Sequence, residues 1–250
     1  MIDFVGAGPG AVDLITVRGK EKLEQADIII YAGSLVNPEL LSYARPECEI
    51  FDSAGMTLEQ VAAVMQRGEA QGKKIVRLHT GDPCLFGAIR EQMDLLDDQG
   101  IGYRVVPGVS SFLGAAAVLP AEFTLPDVSQ TVILTRMAGR TPVPEREDIA
   151  ALAAHRATMV VFLSASMLGK LSERLQAGGY SADTPAAVVY KATWPDEKVL
   201  RTTVGQMERD AREAGISKTA LILVGGFLGR NDSRSKLYDP AFSHGYRESV

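Results

Sequence analysis

Between Lys74 and Leu119 the chain runs twice through one short plan, and that plan limits the fold more than any other feature. Ile75 to His79 is a short apolar run rich in branched residues, as expected of a strand buried on both faces of a parallel sheet. It breaks into Thr80-Gly81-Asp82-Pro83, where glycine permits unusual dihedrals and proline removes a donor. From Gly87 an amphipathic segment runs to about Gln99. Tyr103 to Val106 then ends in Pro107-Gly108-Val109-Ser110-Ser111 and feeds a helix of small residues, Phe112 to Leu119. In open parallel sheets ligands bind at the carboxyl ends of strands. Two loops of one kind should therefore face one crevice.

The preceding sequence fits the same plan. Ile2 to Val5 reads as a strand ending in Gly6-Ala7-Gly8-Pro9-Gly10. Gly6, Gly8 and Ala11 satisfy the loose dinucleotide fingerprint, but Ile28-Ile29-Ile30 leads into Tyr31-Ala32-Gly33 without the acid that fingerprint needs. Pro9 also falls where amides should meet a pyrophosphate. A Walker loop fails as well, because Glu21 follows Gly19-Lys20 and Leu14 stands at the required first glycine. A tight turn without a ligand stays open as the alternative. Thr16 caps a helix to Ala26; strands follow at Ile28 to Tyr31 and Glu49 to Phe51. Thr57 and Gln60 form a capping-box pattern on a helix running to Gln71, and Gly72 ends it. The first half is thus an alternating β/α unit of about five strands.

Pro120 to Ser129 carries two prolines and no helical stripe, which makes it the expected boundary. The pattern then restarts: strand Thr131 to Thr135, helix Glu147 to Ala154, strand Thr158 to Leu163, helix Met167 to Ala177 closed by Gly178-Gly179. Strand Ala186 to Tyr190, its hairpin partner Lys198 to Thr203, helix Val204 to Ala214 and strand Ala220 to Val224 complete a second, mixed sheet. Lys191 to Glu197 joins two of those strands. The sequence predicts an α/β protein of two α/β domains, 1–119 and 130–228, with a linker at 120–129 and a polar tail at 229–250.

Charge and composition narrow the partners. A net charge of −5 argues against nucleic acid. No apolar run reaches the roughly 18 residues of a membrane span, and two cysteines without CxxC spacing argue against a disulfide framework or a zinc site. A soluble, cytoplasmic protein with no membrane partner and no metal is expected. Ser110 and Ser111 lie on a strand-to-helix turn, but Phe112 stands where a nucleophile elbow needs glycine. His79, His155 and His244 are scattered; His79, at the end of a buried strand, reads as a satisfied core histidine. Asp82, fixed between Gly81 and Pro83, is either a crevice acid or a turn-maker.

Three loops carry a resemblance. GAGPGAVDLIT (Gly6 to Thr16), TGDPCLFG (Thr80 to Gly87) and VVPGVSS (Val105 to Ser111) resemble, in order and spacing, the three signatures of the tetrapyrrole methylases. It continues through MVVFLSAS, PAAVVYKATWPDE and TALILVGG, and YAGSLVNPELL, KATWPDE and SKLYDPAFSHGYR narrow it to one branch of that family. The resemblance implies a class III methyltransferase: a homodimer of two α/β domains that binds S-adenosyl-L-methionine in a cleft between them, releases S-adenosyl-L-homocysteine, and methylates an anionic tetrapyrrole. Its cofactor contacts fall on Pro9, on Thr80, Gly81, Asp82 and Leu85, on Ser110 and Ser111, on Phe162, Leu163 and Ser164, on Tyr190 and Ala192, and on Thr219 and Ala220. Core packing remains an alternative for Leu85 and Phe162. The family usually has an acid directly after GAGPG, and this chain has Ala11, with Asp13 nearest. Asp13 either substitutes, or the acid only capped the following helix.

Methyl transfer to a ring carbon also accounts for the lack of an evident base, since an electron-rich ring carbon without a proton to lose needs alignment above all. Arg136, Arg140 and Lys191 are the expected partners of the substrate's carboxylates, with Arg234, Lys236 and Arg247 adding charge on the tail. Methylation of a different tetrapyrrole such as uroporphyrinogen III, or a non-catalytic S-adenosylmethionine sensor, are the competing readings.

Overall fold

The computed structural model describes residues 1–230, 235 and 239–248. Two compact units divide the chain: residues 1–115 with 191–197, and residues 116–190 with 198–250. The placing of Lys191–Glu197 corrects the sequence reading, which put that segment in the second domain. The segment folds onto the first unit through contacts more than 180 residues distant in sequence. No local pattern could signal them.

In the first unit five parallel strands stand in the order β3-β2-β4-β1-β5, with β1 Ile2–Gly6, β2 Ile28–Tyr31, β3 Glu49–Asp52, β4 Ile75–His79 and β5 Tyr103–Val106. Strands β1 and β4 are buried along their whole length, as the branched runs demand. Their alternation feeds two cores. Val5, Ile29, Val76 and Leu78 pack with Leu23 of helix α1 (Val17–Gln25), while Phe4, Ile28, Ile30 and Ile75 pack with Val61 and Met65 of α2 (Leu58–Ala70). Thr16 caps α1 by accepting from the Gly19 amide, and the Thr57–Gln60 capping box opens α2 as expected. The third helix starts later than the sequence suggests, at Arg90 (α3, Arg90–Asp97). Phe86 (φ 55°) and Ala88 (φ 50°) adopt left-handed dihedrals that no helix tolerates. Helix α4 spans Ser111–Val118.

The second unit holds a mixed sheet in the order β6-β7-β10-β8-β9: β6 Val132–Arg136, β7 Thr158–Phe162, β8 Pro185–Tyr190, β9 Lys198–Thr203 and β10 Ala220–Val224. β6 runs parallel to β7, and the other three pairings are antiparallel. Its core joins Met159, Val161, Val188 and Ile222 to Leu171 and Leu175 of α6 (Leu168–Ala177), to α5 (Ile149–Ala153), and to Met207 and Ala211 of α7 (Met207–Glu213). In the 229–250 tail, Arg247 donates to the Asp239 and Phe242 carbonyls. Arg234 and Lys236 lie outside the described residues.

Candidate active site

In the first unit the carboxyl ends of β1, β4 and β5 carry the three glycine loops, and the loops touch main chain to main chain. Gly8 and Gly81 exchange two hydrogen bonds of 3.2 and 2.8 Å, extending the sheet beyond its last side chains. A Cβ on Gly108 would lie 2.2 Å from the Gly81 carbonyl oxygen and 2.8 Å from the Gly6 Cα, and one on Gly6 would lie 2.5 Å from the Gly108 Cα. No other residue fits there. Glycine at these positions is therefore a packing requirement of three converging loops.

Asp82 completes the lock. One carboxylate oxygen accepts from the Cys84 amide and the other from the Gly108 amide, both at 2.8 Å. The first bond turns the loop on itself, and the second ties the second loop to the third. Both oxygens hold backbone donors, so the turn-making reading of Asp82 prevails over that of a free acid. Partial desolvation, and then the Asp82 charge, raise the pKa of the adjacent Cys84 thiol, which disfavours a nucleophilic thiolate.

The Lys191–Glu197 segment secures the first loop. Trp194 Nε1 donates to the Pro9 carbonyl at 3.2 Å, Thr193 Oγ1 accepts from the Ala11 amide at 3.0 Å, and Asn37 Nδ2 donates to the Gly10 carbonyl at 2.9 Å. A Cβ on Gly10 would strike the Trp194 ring. Thus the amide of Ala11 finds its oxygen in a distant threonine, and the short turn Val12–Leu14 has no side-chain cap. Asp13 is exposed. Lys191 pairs with Asp196 at 2.7 Å and lies over the Trp194 ring at 5.1 Å. Its charge already serves this segment.

The remaining first-unit candidates sit on these loops. Ser110 is buried, with its carbonyl accepting from Leu113 and Gly114 at the start of α4. Thr80, Leu85 and Ser111 are half-buried and Ala192 is buried.

In the second unit the register brings the other candidates to one end of the sheet. Arg136 pairs with Phe162 across β6 and β7, and Tyr190 with Ala220 across β8 and β10. Leu163 and Ser164 follow β7 directly, and Thr219 precedes β10. Ser164 is fully buried; its hydroxyl donates to the Phe162 carbonyl at 2.7 Å and accepts from the Met137 amide at 3.0 Å, pinning the ends of β6 and β7 together. Leu163 is 63% exposed with φ 53°, and Thr219 also has φ 53°. A β-branched residue at positive φ is a true outlier, and such strain gathers at ligand sites. Phe162 is buried, so the core-packing alternative describes it as it stands. The Arg136 guanidinium donates to the carbonyls of Met137, Thr141 and Pro142, closing its own loop, and Arg140 is exposed in that loop.

One cluster escaped the sequence reading. Arg77 and His79 point to the same face of β4 and are only 7% and 5% exposed. Arg77 Nε donates to Gln92 Oε1 at 3.1 Å and Nη1 to the Ile30 carbonyl at 3.2 Å. Burial pulls the arginine pKa down to about 10. His79 corrects the expectation of a satisfied core histidine, because its Nε2 is buried with no hydrogen-bond partner among the described residues. Burial, and next the Arg77 charge, lower its pKa to about 3, so the ring is neutral. A charged residue inside an otherwise apolar parallel strand was the available signal. Among the described residues no cluster of three His, Cys, Asp or Glu could hold a metal, and no helix is long and apolar enough to cross a membrane.

Two α/β sheets, the first with glycine loops at its strand ends, define the class. Residues 1–208 match the family of tetrapyrrole (corrin/porphyrin) methylases, and the chain belongs to it. Among relatives, it is 53% identical over 247 residues to the cobalt-precorrin-4 C(11)-methyltransferase of Methanocaldococcus jannaschii, covering 98% of this chain and 95% of that one. It is 44% identical over 248 residues to the precorrin-4 C(11)-methyltransferase of a Sinorhizobium species, covering 98% of both. The crystal structure of a cobalt precorrin-4 methyltransferase of cobalamin biosynthesis superposes with a TM-score of 0.90 at 49% identity, covering 92% of this chain and 96% of that one.

Proposed function

We propose that this chain is an S-adenosylmethionine-dependent methyltransferase that methylates C11 of precorrin-4, or of its cobalt complex, in corrin-ring biosynthesis for cobalamin. The end-to-end match to relatives with that printed activity carries the reading. The residues suit the donor molecule. In the first unit half-buried Leu85 offers apolar cover beside loops rich in main-chain donors and acceptors, and in the second strained, exposed Leu163 offers apolar cover at the end of β7; both are usual components of a small-molecule site. S-adenosylmethionine supplies an electrophilic methyl group when bound. The contacts assigned to it are Pro9, Thr80, Gly81, Asp82, Leu85, Ser110, Ser111, Phe162, Leu163, Ser164, Tyr190, Ala192, Thr219 and Ala220. Arg140 is the substrate-facing cation that this reading retains from the sequence, and a homodimer is the proposed assembly.

The chain's own contribution is alignment. Holding reactants in line can be worth roughly 7 to 11 kcal/mol, enough to make a general base dispensable when the attacked carbon has no proton to lose. Asp82, with both oxygens on amides, holds loops and takes no proton. Asp82→Asn turns an amide NH2 toward one of two backbone donors. It should weaken S-adenosylhomocysteine binding while leaving methyl transfer per bound cofactor nearly unchanged. Unchanged affinity with turnover down about a thousandfold would instead mark Asp82 as a base. The activity itself is tested by incubating the protein with methyl-labelled S-adenosylmethionine and a precorrin-4 generating mixture, with and without cobalt. A labelled methyl at C11, read by mass spectrometry and carbon NMR, is expected. Cofactor binding without labelled pigment would overturn the reading.

A further inference from the structure

On the α2 and α3 side of β4 lies a cavity of about 290 Å³. Its wall includes Arg77, His79 and Gln92, with Thr80, Phe86 and exposed Glu91 also lining it. The volume decides what can enter. Drug-sized ligands need roughly 300 to 1,000 Å³, so a macrocycle is too large and a short side arm is not. The charge decides the chemistry. Arg77 is buried, and among the described residues no carboxylate pairs with it. Two of its donors are fixed by Gln92 and the Ile30 carbonyl, which orients the guanidinium plane, while Nη2 bonds to no described residue. Burying a charge without a counter-charge is costly, and removing that cost is what an incoming anion would do. A planar guanidinium fork matches a carboxylate. The neutral His79 ring adds no second charge, and its Nε2 has no partner among the described residues. Thr80 belongs both to this wall and to the glycine loop, so the cavity adjoins the candidate active site.

We infer that this cavity is a carboxylate subsite, in which Arg77 receives one acetate or propionate arm of the tetrapyrrole and so fixes the ring's orientation. The inference rests on the functional reading above and adds a site to it. The most selective test is Gln92→Glu. The new carboxylate would stand where Gln92 Oε1 already meets Arg77 Nε at 3.1 Å, giving the arginine an internal partner and closing the subsite without deleting the cation. Arg77→Met provides the complementary loss. Equilibrium binding of uroporphyrin III, which carries acetate and propionate arms, is measured beside S-adenosylhomocysteine binding and thermal melting. Gln92 Nε2 also donates to the Ala88 carbonyl at 3.0 Å, a bond that Gln92→Glu gives up in exchange for the ion pair. Expected for Gln92→Glu is therefore a melting temperature close to wild type, S-adenosylhomocysteine affinity within about twofold, and uroporphyrin affinity down about tenfold or more. Arg77→Met should lose uroporphyrin affinity to a similar degree. A folded Gln92→Glu variant that binds uroporphyrin as wild type does would overturn the subsite, whatever Arg77→Met does. Failure of the wild-type protein to bind any tetrapyrrole would overturn the functional reading itself.

Discussion

The two sheets bring their loop ends together by opposite means. In the first, three parallel strands end in glycines that pack backbone on backbone, with Asp82 bonded across two of the loops. In the second, the corresponding residues are not glycine: Leu163 and Thr219 are held at positive φ, and a buried Ser164 hydroxyl joins β6 to β7. One end is made by removing side chains, the other by forcing side chains into an unfavourable backbone. The first arrangement leaves no room for change. The second stores strain that a neighbouring ligand contact can exploit.

Gly108→Ala tests the first arrangement most severely. Its methyl would need to displace two backbones at once, since neither the Gly81 carbonyl nor the Gly6 Cα belongs to a flexible side chain. Overpacking alone costs about 1 to 3 kcal/mol, and rigid backbone puts this site at or above the upper figure. Chemical denaturation should show a loss of about 3 kcal/mol or more, together with loss of S-adenosylhomocysteine binding. A variant within about 1 kcal/mol of wild type would mean that the loops are looser than their contacts suggest.

The sheets also differ in what their central strands bury. β10 is wholly apolar, Ala220 to Val224, whereas β4 buries Arg77 and His79. Only β4 should therefore report pH. His79 is depressed to about 3 in the folded protein, against an ordinary value near 6.5. The unfolded chain takes up the proton first, so stability is fully present above about pH 6.5 and declines as pH falls toward 3. The slope approaches about 1.4 kcal/mol per pH unit. Urea unfolding at pH 7, 6 and 5 should show wild type losing more stability than His79→Gln on acidification. Equal slopes would mean that the ring is hydrated or protonated in the native state.

Much of this was legible in the sequence because the signals are local. Branched runs gave the strands, Thr57 and Gln60 the cap of α2, and the glycine spacing the three loops. What was missed is non-local or contrary to propensity. Nothing around Trp194 signals a bond to Pro9, and nothing in Phe86 or Ala88 announces the dihedrals that delay α3 to Arg90. Lys191 and Arg136 looked like free cations, yet each is engaged by its own loop. Arg77, buried and with a donor that bonds to no described residue, was concealed by the strand's apolar pattern.

The smallest expected effect tests the second arrangement. Thr219 stands at φ 53°, where a β-branched side chain is disfavoured by roughly 1 to 2 kcal/mol. Thr219→Gly removes that penalty but adds backbone freedom to the unfolded chain, which returns roughly 0.5 to 1 kcal/mol. The two nearly cancel, so stability should stay within about 1 kcal/mol of wild type and rise rather than fall. If strain at this position serves ligand contact, S-adenosylhomocysteine affinity should weaken while the denaturation midpoint holds. A variant destabilised by more than about 1 kcal/mol would show that the threonine side chain is itself a structural tie. The second sheet's end would then be held by side-chain contacts, just as the first is held by their absence.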